Sequence, residues 1–151
     1  MKLDWKVIIG GGVLMYVVQF AVSMTTGMFI HEGVLDPYYS ATTEFWRPEL
    51  VQDPPDMAAM MPRWISTGLF VALVQAAIYD NIRAALSGPG IIKGLKFGLL
   101  LAIIYTSFGL SYSGVFNLPD AIWAWWAVDG FIIYPIGGLV LGWFAGKFGS
   151  D

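Results

Sequence analysis

The chain has 151 residues, 57% of them hydrophobic and 13% charged, with a net charge of -3 and a mean hydropathy of +0.65. Soluble domains are about 45–50% apolar and about 25% charged, so this chain cannot cover a water-facing surface and reads as an integral membrane protein. Eight Lys plus Arg against eleven Asp plus Glu exclude a nucleic-acid-binding surface, and the absence of cysteine excludes disulfides, thiolate metal sites and a cysteine nucleophile.

Four apolar stretches predict an all-α membrane protein, a four-transmembrane-helix bundle forming one integral membrane domain over 1–151. The first, 7–29, is uncharged and about 34 Å long as a helix. A loop over 30–63 follows. Its five prolines exclude one long helix, and Tyr38, Tyr39, Phe45 and Trp46 make it too aromatic for a disordered tether. A short helix near Ser40–Phe45 is expected, with Tyr38, Tyr39 and Trp46 resting on the membrane surface or the bundle top. Met57–Met61 is either an interfacial half-turn or a flexible apolar docking surface. The second span, 64–83, carries Asp80 and Asn81 at its end, beside Arg83, where an ion pair or helix end is expected. The third covers 91–116 after Pro89. The fourth, 121–146, contains Asp129 and a kink-prone Pro135.

Six of the eight basic residues fall at the termini (Lys2, Lys6, Lys147) or between spans two and three (Arg83, Lys93, Lys96). By the positive-inside rule both termini are cytoplasmic and the acidic, aromatic 30–63 loop is outside. Tryptophans near the span ends match an interfacial belt. Lys2, Lys6 and the small residues Ala21-Val22-Ser23 resemble a signal peptide, but Asp4 and the longer apolar run favour an uncleaved span.

Gly90, Gly94 and Gly98 recur every four residues on span three, and Gly138, Gly142 and Gly146 do so on span four. In lipid, helices associate by close backbone approach over small residues, so each stripe predicts a contact with the other span or with another subunit. Polar groups at membrane depth are functional candidates by default. Asp129 lies about two turns into span four; Gln19, Gln75, Tyr105, Ser107 and Tyr134 are the other candidates for a ligand-binding or proton-titrating site. The alternative role for Gln19 and Gln75 is interhelical hydrogen bonding. His31, Glu32 and Asp36 come nearest to a metal site, but one imidazole fixes one coordination position and no second histidine exists. No metal, cofactor or catalytic constellation is expected.

The run Gly90-Ile91-Ile92-Lys93-Gly94-Leu95-Lys96-Phe97-Gly98 and the ending Gly137-Gly138-Leu139-Val140-Leu141-Gly142-Trp143 resemble those of small four-span inner-membrane proteins found in many bacteria. The resemblance implies a bacterial inner-membrane location and brings no activity or site residues. Size and tryptophan content also invite comparison with five-span translocator proteins, whose fifth span and motifs are missing here. Three classes of function remain. The first is a non-enzymatic accessory or structural subunit, bound in lipid to another membrane protein or a second copy through small-residue faces and the outer loop. The second is a small-molecule or proton carrier using Asp129. The third is a binder of an apolar ligand such as a lipid, quinone or pigment.

Overall fold

The computed structural model describes residues 3–150. In chain order its helices are α1 (Lys6–Val34), α2 (Asp36–Ser40), a 3-10 turn (Thr43–Phe45), α3 (Pro48–Val51), α4 (Met57–Ile82), α5 (Gly90–Tyr112) and α6 (Asp120–Phe148); no strand occurs among the described residues. Helices α1, α4, α5 and α6 are each long and apolar enough to cross a membrane.

The expected 30–63 loop is shortened at both ends. Helix α1 runs past His31 and Glu32 because Ile30 and Leu35 are buried against Ile122 of α6, and that packing outweighs the local polarity. The helix is widened into π turns at Lys6–Gly11 and Gly27–Val34, and the second of these carries His31. At the other end Asp56 caps α4, its Oδ1 accepting from the Ala59 amide at 2.9 Å. Met57–Met61 is therefore the opening of α4. The helix expected near Ser40–Phe45 is divided, with Pro37 opening α2 and the 3-10 turn following. Span three stops at Tyr112 rather than 116. Ser111 and Ser113 there turn their hydroxyls back onto the Phe108 and Leu110 carbonyls, and Gly114 follows. Helix α6 is continuous through Pro135.

The long helices pack in the order α4, α1, α6, α5. The row closes where the Tyr79 ring of α4 meets the Phe97 ring of α5, centroids 5.3 Å apart. Helices α5 and α6 make the most extensive contact, and glycine is the reason. A Cβ on Gly94 would lie 2.7 Å from the Gly142 Cα, and one on Gly138 would lie 2.8 Å from the Gly98 Cα. Both distances are below any real Cβ contact, so the two stripes face each other within one chain.

Asp4 and Ser150 meet at one end of the molecule, which is therefore the terminal end. Asp4 accepts from the Ser150 amide, and Arg83 bridges Asp4 (3.5 Å), Asp80 (3.0 Å) and the Ser150 carbonyl (2.7 Å). The Asp4 amide also donates to Asp80 Oδ2 at 2.8 Å. The Ser150, Lys6 and Val7 backbone amides hold the Asp4 carboxyl below the usual carboxylate range, against the opposing effect of desolvation. The segment between α1 and α4 lies at the opposite, loop end.

Candidate functional site: a histidine–carboxylate junction at the loop end

Three elements bring four hydrogen-bonding side chains together at the loop end. The second π turn of α1 supplies His31, α2 supplies Tyr39, and α6 supplies Trp126 and Asp129. Tyr39 is central: its hydroxyl lies 2.7 Å from His31 Nδ1 and accepts from Trp126 Nε1 at 2.8 Å. On its far side the Tyr39 ring meets the Trp46 indole edge-on, and Trp46 Nε1 donates to the Tyr39 carbonyl (3.2 Å) and to Thr42 Oγ1 (3.1 Å). Leu35, fully buried, anchors the chain just before α2. The loop is thus folded back onto α6 by packing and by a continuous set of hydrogen bonds.

His31 Nε2 stands 3.4 Å from Asp129 Oδ2, an ion-pair distance rather than that of a short hydrogen bond. The Asp129 side chain is 15% exposed and its other oxygen, Oδ1, is buried with no hydrogen-bond partner among the described residues. The proton arrangement follows from donor and acceptor counts. Burial pushes the Tyr39 phenol up to about 12, so it keeps its proton at any physiological pH. Trp126 can only donate, which leaves the Tyr39 O–H free to donate to His31 Nδ1. Neutral His31 then carries its proton on Nε2, facing Asp129. A protonated His31 would donate from both nitrogens, and the Tyr39 hydroxyl would turn to accept from Nδ1 as well as from Trp126. Both states satisfy the ring, so the junction can take up a proton without being dismantled.

The other candidate residues distribute as follows. Tyr105 and Tyr134 pack ring to ring, centroids 5.3 Å apart, and the Tyr105 ring covers Gly130, next to Asp129. Both belong to the surroundings of the junction. Gln19 lies against Gly137, two turns further along α6, with its Nε2 buried and unpartnered. Gln75 is buried on α4, its Oε1 also unpartnered. Neither glutamine makes a side-chain hydrogen bond among the described residues, so the expected interhelical bonding is not seen. Ser107 does not join the cluster: it is exposed, and its hydroxyl donates to the Ile103 carbonyl of its own helix at 2.8 Å. Glu32 and Asp36 are exposed, and no three His, Asp or Glu side chains converge among the described residues. His31 pairs instead with Asp129, 98 positions away.

Of the two expected places for Tyr39 and Trp46, the membrane surface and the bundle top, both residues take the second, packed on Trp126 of α6, a partner that the sequence did not single out. The available signal was the concentration of aromatic residues with polar handles on both sides of one predicted interface. Such groups find hydrogen-bond partners when buried. No family model matches the chain, and neither a curated protein nor a solved structure proved similar to it.

Proposed function

We propose that this is a non-enzymatic integral membrane protein of the bacterial inner membrane, both termini cytoplasmic, whose working element is the His31–Tyr39–Asp129 junction. In this reading the junction binds a proton, or a small solute bearing a hydrogen-bond donor, from the outer side. The observation that carries it is the Asp129 carboxyl: one oxygen faces His31 and the other is buried without a partner. A buried unpaired carboxylate oxygen is costly, and a proton or a donor on the ligand would satisfy it. The glycine stripes, open to a contact with the other span or with another subunit, face each other across α5 and α6, which leaves the partner-subunit class without their support.

The test is intrinsic tryptophan fluorescence of the reconstituted protein as a function of pH. Trp126 is linked to His31 by two hydrogen bonds that share the Tyr39 hydroxyl, so wild-type emission should change with pH. The change should be lost in His31→Gln and in Asp129→Asn. A flat wild-type profile from folded protein would rule out proton binding at the junction.

A second reading, an apolar-ligand binder, has one observation in its favour. A lateral groove of about 210 Å³ opens between α5 and α6, walled by Tyr105, Phe108, Leu110, Tyr112, Trp123 and Trp126. Absorbance spectra and lipid extraction of the pure protein test it directly.

A further inference from the structure

At the terminal end, remote from His31, a cavity of about 170 Å³ lies between α4, the turn that follows it and the start of α5, with Ala145 of α6 at its back. Its polar wall consists of Tyr79, Arg83, Lys93 and the backbone at Gly88 and Gly90. The charges around it sort clearly. Arg83 is compensated by Asp80 and Asp4 and also donates to the Ser150 carbonyl. Lys96 uses its ammonium on the Ser87 carbonyl (2.9 Å) and hydroxyl (2.7 Å). The ammonium of Lys93, a partly buried residue, makes no hydrogen bond or ion pair among the described residues, and only its backbone amide is bonded, to the Pro89 carbonyl at 3.0 Å.

Tyr79 gives a second, independent indication. It is only 1% exposed, yet its hydroxyl makes no hydrogen bond among the described residues, and it lines this cavity. Gly88, at φ +107°, turns the chain so that α5 begins at the cavity wall. The N-cap of α5 is Pro89, which supplies no side-chain acceptor, so the first-turn amides starting at Gly90 remain open to an external one. Ammonium, phenol and helix-start amides are all donors. No side chain in the wall is an acceptor only.

We propose that this cavity holds a phosphate group, with Lys93 supplying the charge, Tyr79 Oη a hydrogen bond, and the start of α5 backbone donors. The group could arrive as a phospholipid headgroup or as free phosphate; the recognition chemistry is the same. The proposal does not depend on the His31–Asp129 reading.

The experiment is thermal unfolding of the full-length, delipidated protein in a neutral maltoside detergent. Inorganic phosphate, phosphatidylglycerol or phosphatidylcholine is titrated in. Either of the first two should raise Tm in a saturable way: a rise with inorganic phosphate identifies a free-phosphate site, and a rise with phosphatidylglycerol alone identifies a headgroup site. Lys93→Met should weaken the responding ligand by about tenfold or more, the equivalent of one charged hydrogen bond. Tyr79→Phe, which keeps the ring, should weaken it several-fold. Lys147→Met serves as the control, because its ammonium lies over the Trp143 and Phe148 rings and does not line the cavity; it should change nothing. Circular dichroism establishes folding of each variant, and Tyr79→Phe alone carries the test if Lys93→Met does not fold. No shift with either anionic ligand, or an unchanged shift in a folded Lys93→Met or Tyr79→Phe variant, would overturn the proposal.

Discussion

Tyr39 and Asp4 show how single side chains hold distant parts of this chain together. Among the described residues the Tyr39 hydroxyl is the one acceptor of the Trp126 indole N–H, so Tyr39→Phe strands a half-buried donor. A cost of about 1–3 kcal/mol is expected. Thermal unfolding in detergent checks it against Tyr38→Phe, whose exposed side chain makes no hydrogen bond among the described residues and which should be neutral. Asp4 gives a pH prediction with a definite sign. Its folded-state carboxyl is depressed, so its stabilising contribution is present above the ordinary carboxylate value of about 4. It is lost as pH falls from there through the lower folded value. Asp4→Asn should therefore be less stable than wild type at neutral pH, and the two unfolding curves should converge in acid. A gap that stays constant down to pH 2 would contradict this account of Asp4.

At the level of elements, the α5–α6 contact is a backbone-to-backbone fit, and alanine substitutions separate fit from propensity. Gly94→Ala puts a methyl group into the α6 backbone and should cost about 1–3 kcal/mol, as overpacking does. Gly109→Ala, on the same helix with nothing within 4 Å, should gain about 0.5–1 kcal/mol by stiffening the chain. Opposite signs in one unfolding assay would support the ladder; equal effects would not. This interface was legible in the sequence because four-residue glycine spacing on adjacent spans is a direct imprint of close helix approach. The ends of the spans were less legible. Helix α1 extends to Val34 because Ile30 and Leu35 bury against Ile122, a contact between distant parts of the chain that no local pattern reports. The start of α4 could have been read: Asp56 stands three residues before Ala59 in N-cap register, but Pro54, Pro55 and Pro62 drew the reading toward loop.

Over the whole molecule, the four apolar helices and their alternation were visible in composition alone, since uncharged runs of span length leave little choice of structure. The candidate site was visible only in part. Asp129 stood out as a carboxyl at membrane depth, and His31 as the single histidine, yet nothing local joins residues 98 positions apart. Their meeting depends on the π turn that aims His31 at α6 and on the packing of Leu35. Ser107 was misplaced because a hydroxyl at the right depth satisfies itself on its own helix as readily as across an interface.

Four membrane crossings with both chain ends on the cytoplasmic side are the arrangement proposed for this protein. The chain contains no cysteine, so a single introduced thiol reports its own location. Exposed Gln52, in the segment between α1 and α4, and exposed Ala85, in the turn after α4, are suitable positions. With a membrane-impermeant maleimide on intact spheroplasts, Gln52→Cys should be labelled at once and Ala85→Cys only after lysis. Labelling of Ala85→Cys before lysis, or protection of Gln52→Cys until lysis, would contradict the proposed arrangement.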